Sequence, residues 1–141
     1  MTSNQLPITV GNRHNDERGI ITFNNEFDAS HIKRIYTIEN HTVDFIRGWQ
    51  GHKIEQRWFA AMKGRFEISI IEVDDFENPN QNLSIKKYQL DDNFLTYLHV
   101  PAGYITAIKA IDQNNKLLVL ADYTLGEVQD EYRFPFDYFK K

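Results

Sequence analysis

Between Arg47 and Arg57 the chain places an imidazole (His52), an amide (Gln50), an indole (Trp49) and three cations (Arg47, Lys53 and Arg57). Read as a strand, a two-residue period puts Gly48, Gln50 and His52 on one face and Trp49, Gly51 and Lys53 on the other. An imidazole titrates near neutrality and can take a proton from a substrate and return it. An amide can hold a polar oxygen in place, and forked guanidinium donors match phosphate oxygens. Inside a small barrel, an inward amide beside an inward imidazole must find hydrogen bonds, which points to a wet, ligand-sized interior. The competing reading of His52 is a hydrogen-bonded structural histidine.

The elements that must position these groups read as strands. Short β-branched and aromatic runs between Asn, Asp and Gly clusters mark nine of them, at 19–24, 31–39, 47–52, 56–62, 65–73, 83–90, 96–100, 105–110 and 116–121, in the order of a meander. In 65–73 Phe66, Ile68 and Ile70 alternate with Arg65, Glu67 and Ser69, so one face is buried and the other wet. Turns are expected at Lys63-Gly64, at 74–81 and at Pro101-Ala102-Gly103. Residues 12–17 read as a polar loop. The best helical stretch is 127–141, limited by Gly126 and Pro135, where Tyr132, Phe134, Phe136, Tyr138 and Phe139 crowd together. That aromatic segment either closes one end of its own barrel or packs on a second subunit.

Composition narrows the classes. With 141 residues, 41% of them hydrophobic and 26% charged, the chain fits one domain over 1–141 with enough apolar surface for a core. No apolar run approaches the ~20 residues of a membrane-spanning helix, and the first residues lack the pattern of a secretion signal, so a cytoplasmic protein without membrane contact is expected. The absence of cysteine excludes disulfides, thiolate metal sites and cysteine nucleophiles. A net charge of −4 offers no bulk field for nucleic acid, so an anionic ligand must meet a local arginine cluster.

The order Gln50-x-His52, then Gly64, then Pro101-x-Gly103 resembles the two motifs of cupins. That resemblance implies an all-β fold, a cupin or double-stranded β-helix (jelly-roll) barrel, here with a short C-terminal aromatic segment. Metal-binding cupins supply His, His and Glu from the first motif and a further His from the second. At the matching positions this chain carries Gln50, His52, Arg57 and Thr106. One ligand remains, and a guanidinium in the shell repels a divalent cation, so no metal is expected.

Four segments extend the likeness: Asp16-Glu17-Arg18-Gly19, Ile32-Lys33-Arg34-Ile35-Tyr36, residues 47–53, and Leu118-Val119-Leu120-Ala121-Asp122-Tyr123. In this order they resemble the metal-free cupins that act on nucleotide-activated 4-keto-6-deoxysugars, above all the dTDP-sugar 3,4-ketoisomerases of the FdtA and QdtA type. The resemblance implies a homodimeric, cofactor-independent isomerase serving surface-polysaccharide synthesis. It implies His52 as the proton carrier, Tyr36 as a phenol donor and Gln50 as a hydrogen-bonding group where the family carries another histidine. Arg47 and Arg18 are expected to meet the diphosphate, although Arg18 can equally pair with Asp16 at a turn. Arg57 is expected to face the sugar carbonyl, while Trp49, Trp58 and Tyr104 are stacking candidates for the base or members of the core. Two alternatives stay open: a 3,5-epimerase of related sugar nucleotides, which Gln50 disfavours because an amide cannot remove a carbon-bound proton, and a cupin that binds a sugar nucleotide without turning it over. His14, His31, His41 and His99 show no ligand spacing, and Asp74-Asp75 reads as solvated.

Overall fold

Alternation along the chain resolves into two facing sheets. The computed structural model describes residues 7–139, with strands β1 (Ile8–Thr9), β2 (Asn12–Asp16), β3 (Gly19–Phe23), β4 (Arg34–Ile38), β5 (Ile46–His52), β6 (Arg57–Lys63), β7 (Phe66–Glu72), β8 (Lys86–Leu90), β9 (Tyr97–Val100), β10 (Tyr104–Ala110), β11 (Lys116–Ala121) and β12 (Glu131–Arg133). One sheet runs β1-β9-β6-β11-β4, the other β12-β5-β10-β7-β8, and β2-β3 stand apart as a hairpin. All pairs are antiparallel. Among the described residues no helix is long and apolar enough to cross a membrane.

The jelly-roll expectation holds, but the meander does not. Only β2-β3 and β7-β8 pair with their sequence neighbours; every other ladder joins distant segments, because the chain crosses between the two sheets instead of folding back beside itself. Residues 12–17 are not a loop: Asn12–Asp16 is a strand whose polar side chains face solvent on both sides, so no apolar period marks it. The helix expected over 127–141 is absent in the described part of that segment. Edge strand β12 and one 3-10 turn at Phe136–Tyr138 replace it. Residues 140 and 141 lie outside the described chain.

The inner faces of the sheets bury Phe59, Phe66, Ile68, Ile70, Leu98, Val100, Ile108, Leu117 and Val119 between them. A second apolar layer lies outside the β5-β10-β7 sheet, where Trp49, Ile71, Phe76, Ile105, Ala107 and Phe139 pack together with Phe134 and Tyr138. The aromatic segment therefore packs on its own chain, as the first of the two expectations had it. It covers the outer face of a sheet and not one end of the barrel, because the outward residues Trp49, Ile105 and Ala107 are apolar and need a cover. This explains the uninterrupted burial of Ile105, Thr106, Ala107 and Ile108: a strand covered on both faces loses its alternation.

Candidate active site

Strand β5 is held so tightly that its path is fixed to within a side chain. A Cβ on Gly51 would lie 2.1 Å from the Tyr104 carbonyl oxygen, so only glycine permits this approach of β5 to β10. At the turn before β10, Gly103 takes a φ of +93° and its N–H donates to the His52 carbonyl at 2.8 Å, which ties down the backbone of the imidazole. The ladder then sets three residues side by side: Tyr104 and Glu131 both lie opposite His52, on either side of it. Next along, Thr106 and Arg133 flank Gln50.

A β-bulge decides the position of Arg47. Gln50 is registered with Thr106 but Arg47 with Ile108, so Gly48 and Trp49 together oppose Ala107. Strict alternation would send Arg47 outward with Trp49. The extra residue turns it inward, onto the wall that Gln50 and His52 share.

These residues line a mouth of ≈ 740 Å³, within the range of small-molecule sites, with a narrow throat of ≈ 40 Å³ that reaches the apolar floor at Phe59, Val100 and Ile108. His52 is buried, and its Nδ1 lies 3.1 Å from Asp130 Oδ1. The other Asp130 oxygen accepts the backbone N–H groups of Ile54 and Glu55, both at 2.8 Å. Burial alone would raise this carboxyl, but the donors from Glu55, His52 and Ile54 outweigh it and hold Asp130 below the ordinary aspartate range.

On the cavity side, Arg57 Nη2 lies 2.6 Å from His52 Nε2. A guanidinium can only donate, so Nε2 is the acceptor and the ring proton sits on Nδ1, facing Asp130. Arg57 spends its other donors on Glu55 Oε2, at 2.5 Å from Nε, and on the Tyr36 hydroxyl. That hydroxyl accepts from Arg57, which leaves its own proton free to donate. Burial pushes the Tyr36 phenol up, against the pull of the Arg57 and Arg34 charges.

The rim is cationic. Arg34 stacks over the Tyr36 ring at 4.5 Å, and the buried Nε of Arg47 has no hydrogen-bond partner. Among the described residues no carboxylate pairs with either guanidinium, so both are free to meet an anion. Across the mouth, Gln50 Nε2 donates to Glu131 Oε2 at 2.7 Å, and Arg133 Nε donates to the same oxygen at 2.6 Å.

His52, Glu55 and Asp130 offer donor atoms within 4.8 Å of one another, the one such cluster among the described residues. Each is already engaged: Nε2 and Glu55 by Arg57, Nδ1 by Asp130, and Asp130 Oδ2 by two amides. A cation would have to displace a buried guanidinium, so the donor set fits a proton-transfer site better than a metal centre.

The structure brings together Tyr36, Arg47, Gln50, His52, Arg57 and Tyr104. Three expected residues lie elsewhere. Trp49 is 3% exposed on the outer face, where its Nε1 donates to the Phe136 carbonyl at 3.1 Å, so it holds the C-terminal segment and does not stack on a ligand in the cavity. Trp58 also faces outward and stacks on His99 at 4.8 Å. Arg18 sits on the β2-β3 hairpin with its side chain 78% exposed and paired to Asp16 at 2.7 Å; it does not line the cavity of its own chain. Asp130, Glu131 and Arg133 escaped sequence reasoning because their segment reads as helix, and Glu55 because nothing local marks it as the anchor of Arg57.

No curated protein sequence matches the chain. Among solved structures it is similar to a histidine-to-asparagine variant of the 3,4-ketoisomerase QdtA from Thermoanaerobacterium thermosaccharolyticum in complex with TDP-4-keto-6-deoxyglucose, at 21% identity and a TM-score of 0.72, covering 98% of this chain and 93% of that one. A 3,4-ketoisomerase from Helicobacter canadensis matches at 24% identity and a TM-score of 0.69, covering 94% and 93%. An rmlC epimerase from Mycobacterium tuberculosis matches at 14% identity and a TM-score of 0.72, covering 90% and 67%. These likenesses establish the RmlC-like cupin fold. The family model for FdtA, described as WxcM-like, C-terminal, matches residues 5–141, and the chain belongs to that family.

Proposed function

We propose that the protein isomerises a nucleotide-activated 4-keto-6-deoxyhexose, linked to dTDP, to its 3-keto form by proton transfer alone. The observation that carries this reading is the tautomer of His52: Asp130 holds the ring proton at Nδ1 and turns the basic Nε2 toward the cavity, beside a phenol and a guanidinium. A 3,4-keto shift needs a base at C3, a donor at C4 and stabilisation of the enediol between them. His52 Nε2 supplies the first, and the imidazolium so formed returns the proton at C4. Tyr36 donates to the keto oxygen. Arg57 covers Nε2 at rest; when the keto oxygen enters it attracts the guanidinium, which uncovers the base and meets the developing charge together. The unpaired Arg34 and Arg47 at the rim suit the diphosphate. The ligand in the QdtA complex supports this substrate class.

The test is incubation with dTDP-4-keto-6-deoxyglucose in deuterated water, followed by NMR. Deuterium at C4 of a 3-keto product and at C3 of the recovered substrate is the expected result, and His52→Asn should abolish both. Binding without isotope exchange would leave a sugar-nucleotide-binding cupin, and exchange at C5 would mark an epimerase. The same reading makes the enzyme a cytoplasmic homodimer in surface-polysaccharide sugar synthesis. Exposed Val10, Ile20, Ile21 and Ile35 support the second subunit, since such side chains gain by being covered.

A further inference from the structure

We infer that Glu131 is a further catalytic residue: it accepts the hydroxyl proton that must leave the C3 oxygen as the carbonyl moves there. The inference rests on the isomerase reading above and extends it to a proton which His52 and Tyr36 do not handle. A 3,4-keto shift moves two protons, one between carbons and one between oxygens. His52 carries the first. Tyr36 can give a proton to the C4 oxygen, but nothing assigned so far takes one from the C3 oxygen.

Three carboxylates line the mouth, Glu55, Asp130 and Glu131. The first is bound to Arg57, and both oxygens of the second are engaged by His52 and two backbone amides. Glu131 differs. Its Oε2 is clamped by Gln50 and Arg133, while Oε1 has no partner among the described residues and is left to meet a substrate hydroxyl. The side chain is 39% exposed, open to proton exchange with water. It also lies directly across the ladder from His52, so a group on the carbon that His52 deprotonates comes within its reach. Position 50 cannot do this work, because an amide does not titrate. Gln50 instead orients the carboxylate that does, as the donor that fixes Oε2.

The step balances. His52 Nε2 takes the C3 proton, the C3–H pair becomes the C3–C4 double bond, and the carbonyl pair moves onto the C4 oxygen, which takes the Tyr36 proton. Glu131 then takes the proton of the C3 hydroxyl. The O–H pair forms the new carbonyl, and the double-bond pair takes the proton from His52 at C4. Glu131 ends protonated and Tyr36 as phenolate, and water in the mouth returns the proton from one to the other.

The experiment compares wild type, Glu131→Gln and Glu131→Asp on dTDP-4-keto-6-deoxyglucose in deuterated water, reading both product formed and deuterium at C3 of unconverted substrate. Glu131→Gln keeps the size of the side chain but not its basicity. It should raise the ratio of C3 exchange to turnover at least about tenfold, since general acid–base groups contribute about 10²–10⁴-fold to the step they serve. Glu131→Asp should restore part of the wild-type ratio. An unchanged ratio in Glu131→Gln, whether both rates fall together or neither falls, overturns the role of Glu131 and leaves the isomerase reading intact. Absence of product and of exchange in the wild type overturns the isomerase reading and the role of Glu131 with it.

Discussion

Asp130 and His52, separated by 78 positions in the chain, meet at 3.1 Å with both side chains nearly sealed from solvent. Asp130 takes the ring proton on one oxygen and two backbone amides on the other, so it fixes both the tautomer of His52 and the loop that follows β5. In Asp130→Asn the amides of Ile54 and Glu55 claim the remaining oxygen and turn the side-chain NH₂ toward His52. Nδ1 must then accept, the ring proton moves to Nε2, and the base is lost. The expected outcome is a fall in kcat of about 10²–10⁴-fold, measured by NMR turnover.

The same carboxyl makes stability depend on pH. Its folded pKa lies below the unfolded value of about 3.9, so it contributes stability above that pH, and the contribution disappears as pH falls through the folded value. Urea unfolding of the wild type should show stability declining with acidification below about pH 4.5, since the unfolded aspartate starts to take up protons there. Asp130→Asn should be less stable at pH 7 and show a shallower acid slope. Equal slopes would mean that Asp130 titrates alike in both states.

Arg57 and Glu55 form a buried pair, at 12% and 6% side-chain exposure. Arg57→Met leaves the Glu55 charge uncompensated and should cost about 3–5 kcal/mol. Adding Glu55→Gln should recover much of that loss in urea melts while activity stays absent, because the fold needs charge balance but the reaction needs the guanidinium. Simple additivity of the two substitutions would show that the pair is not coupled.

Arg47 should behave in the opposite way. Its Nε is buried without a partner, so the fold makes little use of its charge. Arg47→Met should change stability by less than about 1 kcal/mol, the scale of its contact with Phe45. Thymidine diphosphate affinity should fall at least about tenfold by calorimetry, since hydrogen bonds to charged groups are worth about 1.5–3 kcal/mol. Unchanged affinity would place the diphosphate away from Arg47.

How far the sequence reaches follows from which interactions are local. The alternation of Phe66, Ile68 and Ile70 is a local consequence of one buried face, and it located β7 to within a residue at each end. The face shared by Gln50 and His52 was legible for the same reason. The inward turn of Arg47 was not, because the bulge exists only in the pairing of β5 with β10. Strand β12 is only Glu-Tyr-Arg, three residues paired to β5 on one side, too short for an alternating pattern to mark it. Asp130 and Glu131 became visible only with that pairing. The hairpin strand β2 has no buried face to pattern it.

Trp49 tests the outward assignment of that face. Its indole stacks on Phe136, meets Phe139 edge-on at 5.6 Å and donates to the Phe136 carbonyl, while the Trp49 backbone carbonyl accepts the Phe134 N–H at 3.0 Å. It therefore seats the segment that carries β12, and with it Asp130 and Glu131, without touching the cavity. Trp49→Phe removes one hydrogen bond and should cost about 1 kcal/mol, with thymidine diphosphate affinity unchanged. Trp49→Ala should cost about 3–5 kcal/mol and depress turnover as well, because the unseated segment loosens the partner of His52. A Trp49→Phe protein of full stability with weakened nucleotide binding would put the indole at the ligand and reverse the assignment of faces along β5.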